Sequence, residues 1–375
     1  MPDPMMTLQK AFLSFCLPFF FALSADAGEV SLERPFEVEE VVSGLGVLWG
    51  MAFVSDDELL ITERSGVVRL LDITSGALRD IGGAPQVAAR GQGGLLDVAV
   101  SPDFGDDGWI YFTYSKPVGS GAATVLARAQ LDGGNLVSWA DLFISGVQTS
   151  RSQHFGSRIA FDDAGHVFFT HGDRGDRHSA QDLSNHGGTV LRLNLDGSVP
   201  QDNPFVDRDG AQPEIWSYGH RNPQGIAYDR ATGRLWVSEH GPRGGDEINR
   251  VEAGKNYGWP VISYGREYAL PKRVGEGTHK DGMAQPVKVY VPSIAPGSLL
   301  LYSGKAFPQW RGDLFIGALV LTHLNHIDLD DNGNVLAEHR YLEDLHERVR
   351  QVIESPQGWL YLSTDSGKIY RMVAR

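Results

Sequence analysis

Apolar residues along most of this chain come in short runs rich in Val, Ile, Leu and aromatic residues, and Asp, Gly or Pro closes almost every run. This is the pattern of strands and tight turns, and nothing in the chain sustains the spacing of an amphipathic helix. Six times an apolar stretch, a polar turn and a second apolar stretch recur, at residues 50–63, 95–115, 158–173, 225–242, 298–317 and 349–365. A further strand follows each copy, as at residues 66–72 and 188–197. Units of three or four strands, with no helices to cover a parallel sheet, predict radial repetition, because that arrangement leaves only short protected edges. The expected fold is therefore all-β, a six-bladed β-propeller of four-stranded antiparallel sheets, in one domain over 28–375. A pair of β-sandwiches would need a linker, and no Pro/Ser-rich boundary divides the chain. The longest departures from the repeat, near 174–187, 198–220 and 260–297, are expected to carry functional loops.

The N-terminus departs from this pattern. Residues 11–23 form one apolar run, too short to span a bilayer, that ends in Ser24-Ala25-Asp26-Ala27. A short apolar stretch before a small-x-small site predicts a cleaved signal peptide over 1–27 and a periplasmic or secreted mature chain. Cys16 is the one cysteine, so cleavage leaves no thiol, and the core must hold without disulfides. No other segment is long and apolar enough to cross a membrane. The 45 Gly and 19 Pro fit a chain that turns often. A net charge of −14 without any Lys/Arg-rich run argues against nucleic acid and anionic membrane surfaces as partners. No Walker loop, dinucleotide glycine fingerprint, Cys-x-x-Cys or Gly-x-Ser-x-Gly elbow is present, so NAD chemistry and serine hydrolysis lose support.

If the first strand of each unit is innermost, the residues just upstream of it crowd the central channel. Those positions hold Trp49, Gln92, His154, Arg221 with Asn222, Pro296, and Arg348 with Arg350. Each has a plainer reading. A lone His beside a strand is more often structural than catalytic. Arg221-Asn222-Pro223 fits a turn, and Arg348 and Arg350 share a strand face on which Asp365 or Glu354 could pair with them. What favours function is that four independent units place a polar group at the same depth. Three Arg with Gln and Asn around one His suit an acidic, planar ligand with several carboxylates, because guanidinium forks match carboxylates bidentately.

A second cluster spans residues 239–247, where Gly and Pro can expose carbonyls and Asp246 and Glu247 supply hard oxygen. That is a ligand set for Ca²⁺ rather than zinc, although a Gly-rich hairpin with charged tips explains the segment equally well. Asp328, Asp330, Asn332 and Gly333 imitate the start of an EF-hand loop, but the twelfth position is His339 and no helices flank it, which predicts a β-turn.

Several segments together carry a family resemblance: Gly91-Gln92-Gly93-Gly94, Gln153-His154-Phe155-Gly156-Ser157-Arg158, Gly172-Asp173, Gly219-His220-Arg221-Asn222-Pro223-Gln224-Gly225, Glu239-His240-Gly241-Pro242, Asp246-Glu247-Ile248-Asn249, Asn256-Tyr257-Gly258-Trp259-Pro260 and Arg348-Val349-Arg350. In this order the chain resembles the soluble sugar dehydrogenases that depend on pyrroloquinoline quinone (PQQ), in particular their aldose sugar dehydrogenase branch. The resemblance implies a propeller holding PQQ and Ca²⁺ at the channel mouth. His154 would be the general base, with Arg221 stabilising charge beside it. Gln92, Arg221, Asn222, Arg348 and Arg350 would hold the cofactor, and Tyr268 would flank it. The Gly241 and Pro242 carbonyls, Glu247 and the Tyr257 carbonyl would bind calcium. An aldose would lose hydride from C1 to the quinone and become a lactone, and an external acceptor would take the electrons. Three departures from the family pattern, Val320 where relatives often carry Lys, Tyr290-Val291 where they tend to carry an aromatic pair including Trp, and a 172–178 stretch more charged than a sugar-stacking loop needs, predict altered cofactor affinity and substrate choice. The alternatives are a non-catalytic propeller that binds a sugar or a protein, and a Ca²⁺-dependent lactonase. The lactonase would need carboxylates where this mouth gathers cations and amides.

Overall fold

Six four-stranded antiparallel sheets follow one another along the chain. A computed structural model describes residues 35–269 and 272–375. The predicted signal peptide and Cys16 lie outside the described residues. Phe36–Arg375 forms one compact unit. Blades 1 to 5 occupy residues 48–81, 95–144, 159–218, 223–290 and 300–341, each in simple up-and-down order. Blade 6 takes three strands from residues 349–374 and its fourth from Phe36–Val42, which pairs antiparallel with Ile369–Ala374. The first strand among the described residues thus closes the ring, which the local sequence pattern did not reveal. The departures near 198–220 and 260–297 contain the fourth strands of blades 3 and 4, Ile215–Tyr218 and Lys288–Tyr290.

Turn chemistry fixes the hairpins locally. Asp162 Oδ1 accepts the backbone N–H of Ala164 and of His166, and Asp330 Oδ1 accepts those of Asn332 and Asn334, so the EF-hand-like run is the expected β-turn. Between blades the apolar faces merge into separate cores, one per neighbouring pair. Leu60 and Ile110 share the first, Tyr111 and Phe169 the second, and Phe315 and Leu360 the fifth, all fully buried. Burying each such side chain contributes about 1.5–3 kcal/mol, so the ring is held chiefly by contacts between blades.

The first strands line a central channel of about 590 Å³, to which Met51, Val98, Ile159, Ile226, Leu300 and Val352 contribute one from each blade. Where these strands begin, the pairing slips at Leu48/Gly50, Pro223/Gly225 and Val349/Gln351. A bulge leaves the extra residue without a ladder partner and re-aims it; here those residues are Trp49, Gln224 and Arg350. Arg158 takes up their carbonyls. Its Nε–H donates to Gln224 O at 2.9 Å, and its Nη groups reach Trp49 O (3.2 Å), Arg350 O (3.1 Å), Gly297 O (2.5 Å) and Asp97 Oδ1 (2.8 Å). One buried guanidinium just before blade 3 therefore bonds to blades 1, 2, 4 and 6 and to the segment leading into blade 5, beneath the channel mouth.

Candidate active site

Above Arg158 lies a cavity of about 300 Å³. Three guanidinium groups line it, from Arg64, Arg348 and Arg350, against the single carboxylate of Asp365. Gln92, Asn222 and Gln224 supply amides, His240 an imidazole, and Trp49 and Leu319 apolar walls. Arg64 and His240 carry no assignment from the sequence, because neither is set apart by its place in the repeat.

Arg348 and Arg350 do pair with Asp365, as the plainer reading required. Arg348 Nε donates to Oδ2 at 2.9 Å, and Arg350 reaches both oxygens at 2.9 and 3.1 Å. Two cations then share one anion, which leaves positive charge facing the cavity. Burial pulls the Arg350 guanidinium below its ordinary value against the pull of Asp365, and its central carbon lies 4.4 Å from the centroid of the Trp49 ring. Asn222 is buried, and its Oδ1 accepts the Gly156 N–H (3.2 Å) while its Nδ2 has no partner. A buried donor without a partner costs about 1–3 kcal/mol, so this amide marks a place where a ligand acceptor would be stabilising.

His154 and Arg221 stand at the margin of this cavity rather than in its lining. The N–H of His154 donates to Gln92 Oε1 at 2.7 Å, and its backbone is held at φ 54°, in the left-handed region. Such strain persists where the surroundings over-determine it. Gly172 makes room for this conformation, since a Cβ there would come within 2.3 Å of His154 O. His154 Nδ1 lies 2.6 Å from Asp173 Oδ1. Asp173 also accepts the Gly175 N–H at 2.7 Å and the Trp259 Nε1–H at 2.8 Å. Burial raises the Asp173 carboxyl, but His154, the Gly175 N–H and Arg221 outweigh it and hold the group below the usual carboxylate range. The ionised Asp173 fixes the His154 proton on Nδ1 and leaves Nε2 as the basic nitrogen. Burial, followed by the charges of Arg221 and Arg174, lowers the His154 pKa despite Asp173. His154 is therefore neutral, and able to accept a proton, at neutral pH.

Sequence reasoning assigned no role to Asp173 or Trp259, although both sit in the motifs that carried the resemblance. Only the fold brings residues 154, 173 and 259 together. Trp259 also has Arg221 and Arg177 near its ring, at 5.3 and 5.6 Å.

Arg221 is set by Glu239 and the Gly-Pro turn. Its N–H donates to Glu239 Oε2 (2.7 Å), and its Nη1 donates to His240 O (3.1 Å) and Gly241 O (2.8 Å). His240 donates from Nε2 to Pro296 O at 2.7 Å, and burial lowers its pKa to about 3, so it stays neutral.

Two carboxylates stand next to the expected calcium donors, and because Asp246 and Glu247 are consecutive on a strand they point to opposite faces. On one face Asp246 accepts the Gly241 N–H at 2.9 Å, while the Gly241 carbonyl accepts from Arg221 Nη1 and the Pro242 carbonyl from the Tyr268 hydroxyl. On the other, Glu247 stands directly opposite Glu239, and Asn249 Nδ2 bridges their oxygens at 3.0 and 3.2 Å. The Tyr257 ring stacks at 4.7 Å on His220, whose Nδ1 bonds Glu239 at 2.8 Å. Burial, then the Glu239 charge, pushes the Glu247 carboxyl well above its ordinary value. Asn249 Oδ1 is buried without a partner. Facing carboxylates plus an unpartnered amide oxygen match the hard-oxygen set that calcium prefers. Tyr268 is not part of the cavity lining; it is 66% exposed and donates its hydroxyl to Pro242 O at 2.9 Å. Val291 and Val320 are exposed as well.

Comparison with known proteins defines the class. The glucose/sorbosone dehydrogenase family profile matches residues 45–371, and the chain belongs to that family. It is 40% identical over 349 residues to aldose sugar dehydrogenase YliI of Escherichia coli strain K12, covering 90% of this chain and 93% of that one. The crystal structure of the soluble aldose sugar dehydrogenase from Escherichia coli in its apo form superposes with a TM-score of 0.87 at 36% identity, covering 91% of this chain and all of that one (100%). The PQQ-bound form of aldose sugar dehydrogenase from Streptomyces coelicolor superposes with a TM-score of 0.76 at 26% identity, covering 91% and 98%. Among the described residues no helix is long and apolar enough to cross a membrane.

Proposed function

We propose that this protein is an exported dehydrogenase that oxidises aldoses at C1 to the lactone with PQQ and Ca²⁺, and that electrons leave to an external acceptor. The observation that carries this reading is the Asp173-oriented His154 beside a cationic, amide-lined cavity, in a chain whose relatives include aldose sugar dehydrogenases. The cavity fits a planar polycarboxylate: Arg348 and Arg350 supply guanidinium groups for carboxylates, and Gln92 and the unpartnered Asn222 Nδ2 supply neutral donors. When bound, PQQ would supply a two-electron hydride acceptor. Calcium would be held by Glu247 with Glu239, Asn249 and the Tyr257 carbonyl, and a second ion by the Gly241 and Pro242 carbonyls on the Asp246 side.

The chain's own part is proton chemistry and positioning. His154 Nε2 takes the proton of the C1 hydroxyl, and Asp173 stabilises the imidazolium that forms. Arg221, held by Glu239 and Gly241, offers positive charge where negative charge develops. Trp259 keeps Asp173 in place. Export through the residue 1–27 signal accounts for a mature chain free of cysteine. The reading is tested by adding PQQ and Ca²⁺ to the purified protein and measuring its melting temperature and dye-linked aldose oxidation. Both should rise, since a ligand bound only by the native state stabilises it. A melting temperature indifferent to PQQ would favour a non-catalytic binding propeller instead.

A further inference from the structure

Away from the mouth, metal-binding side chains converge on the outer half of blade 5. His326 and Asp328 are two residues apart on His323–Leu329 and so share a face, and His339 on Val335–Tyr341 stands directly opposite His326. One ligand atom from each of these three lies within 4.8 Å of the others. Asp328 Oδ1 is 3.1 Å from His326 Nε2, and its Oδ2 is 3.3 Å from His339 Nε2. Asp313 Oδ2 approaches the same His326 nitrogen at 2.9 Å. Asp328 and His339 are also the first and twelfth positions of the EF-hand-like run. The middle of that run is the β-turn already described, but its two ends meet again across the hairpin.

The separations are those of ligands that can share one ion. His326 Nε2 faces two carboxylates, and one N–H cannot point well at both. Atoms bound to zinc at about 2.0–2.1 Å and at the tetrahedral angle sit about 3.3 Å apart, close to the 2.9–3.3 Å separations here. The histidine is held as a ligand needs to be. His326 is 2% exposed, stacks on Phe315 at 4.5 Å, and has its Nδ1 3.4 Å from the Tyr341 hydroxyl. The Leu329 N–H holds Asp313 Oδ1 at 3.1 Å. Partners of this kind orient metal ligands. The side chains of Asp328 and His339 are 34% and 46% exposed, so an ion can enter from solvent.

We propose that blade 5 carries a structural zinc site formed by His326, Asp328 and His339, with Asp313 as a fourth oxygen. Two imidazoles select a borderline transition ion over calcium, which separates this site from the all-oxygen donors around Glu247. Bound zinc ties the residue that leads the second strand of blade 5 to the third and fourth strands.

The test uses the purified full-length mature protein in excess Ca²⁺, titrated with Zn²⁺ by calorimetry and with Co²⁺ by visible absorption. Wild type is expected to bind one equivalent of zinc and to give the d–d bands of four-coordinate cobalt. His339→Ala and Asp328→Asn, both at partly exposed positions, should keep their dye-linked activity while zinc affinity falls roughly 100-fold or more, as loss of a direct ligand must exceed loss of an outer partner. The proposal is overturned if wild type binds no zinc at millimolar concentration, or if either variant binds it within about tenfold of wild type.

Discussion

Replacing Asp173 by Asn keeps the shape of the side chain and removes its charge. In the native protein that carboxylate accepts three bonds, from His154 Nδ1 at 2.6 Å, Trp259 Nε1 at 2.8 Å and Gly175 N at 2.7 Å. Bonds to a charged acceptor contribute about 1.5–3 kcal/mol each, against about 0.5–1.5 for neutral pairs. An amide also turns an N–H₂ towards one of these donors. With the carboxylate gone, the imidazolium formed as His154 takes a proton loses about 2–4 kcal/mol of stabilisation. At about 1.36 kcal/mol per factor of ten, kcat should fall roughly 30- to 1,000-fold. The pH profile gives an independent reading. Asp173 raises the His154 pKa, against burial and the charge of Arg221 that lower it. Asp173→Asn should therefore move the acid limb of kcat/KM to lower pH, because the base then loses its proton at lower pH. Affinity for PQQ should hardly change, since Asp173 does not line the cavity. The assay is steady-state dye reduction across pH at saturating PQQ, beside an absorbance titration of the cofactor. A kcat within about threefold of wild type together with an unmoved acid limb would refute the orienting role.

Three further perturbations probe the rest of the account. Arg350→Gln should weaken PQQ binding roughly ten- to a hundredfold while kcat at saturation stays within a few-fold, because a lost charged contact is worth about 1.5–3 kcal/mol; unchanged affinity in a cofactor titration would remove Arg350 from the binding set. Arg158→Met leaves Asp97 buried without its cation and several blade carbonyls without a donor, which should cost about 3–5 kcal/mol in urea unfolding; a loss below about 1 kcal/mol would show that the hub is dispensable. Glu247 has a folded pKa raised well above 4.5, so without calcium its contribution is fully present below that value and is lost as pH rises through the folded pKa. Glu247→Gln should therefore flatten the pH dependence of stability in EDTA and reduce the rise in melting temperature on adding Ca²⁺, whereas a full calcium response in this variant would remove Glu247 as a ligand.

The blades were legible because their signal is local. Alternating runs such as residues 158–173, with Asp and Gly at the turns, specify a hairpin without reference to the rest of the chain. The closure was not, since Phe36 pairs with Ala374, and nothing near residue 36 indicates a partner at the far end of the sequence. The same limit applies at the site. His154, Gln92, Asn222 and the two arginines of blade 6 could be found because each occupies an equivalent place in the repeat. Asp173 and Trp259 stand in loops after different strands, and their connection to His154 exists only in three dimensions. Tyr268 came from the resemblance alone, and its side chain lies in solvent against Pro242. The bulges at Trp49, Gln224 and Arg350, which open the carbonyls that Arg158 binds, depend on register and leave no mark in composition.

The most direct test of the central claim is a PQQ titration of wild type and His154→Ala in the presence of Ca²⁺, followed by absorbance and by aldose-dependent dye reduction in the same samples. Both proteins should bind one equivalent of cofactor with similar affinity, and dye reduction should grow with occupancy in wild type and be lost in the variant. Failure of wild type to bind PQQ, or turnover by His154→Ala at the wild-type rate, would contradict it.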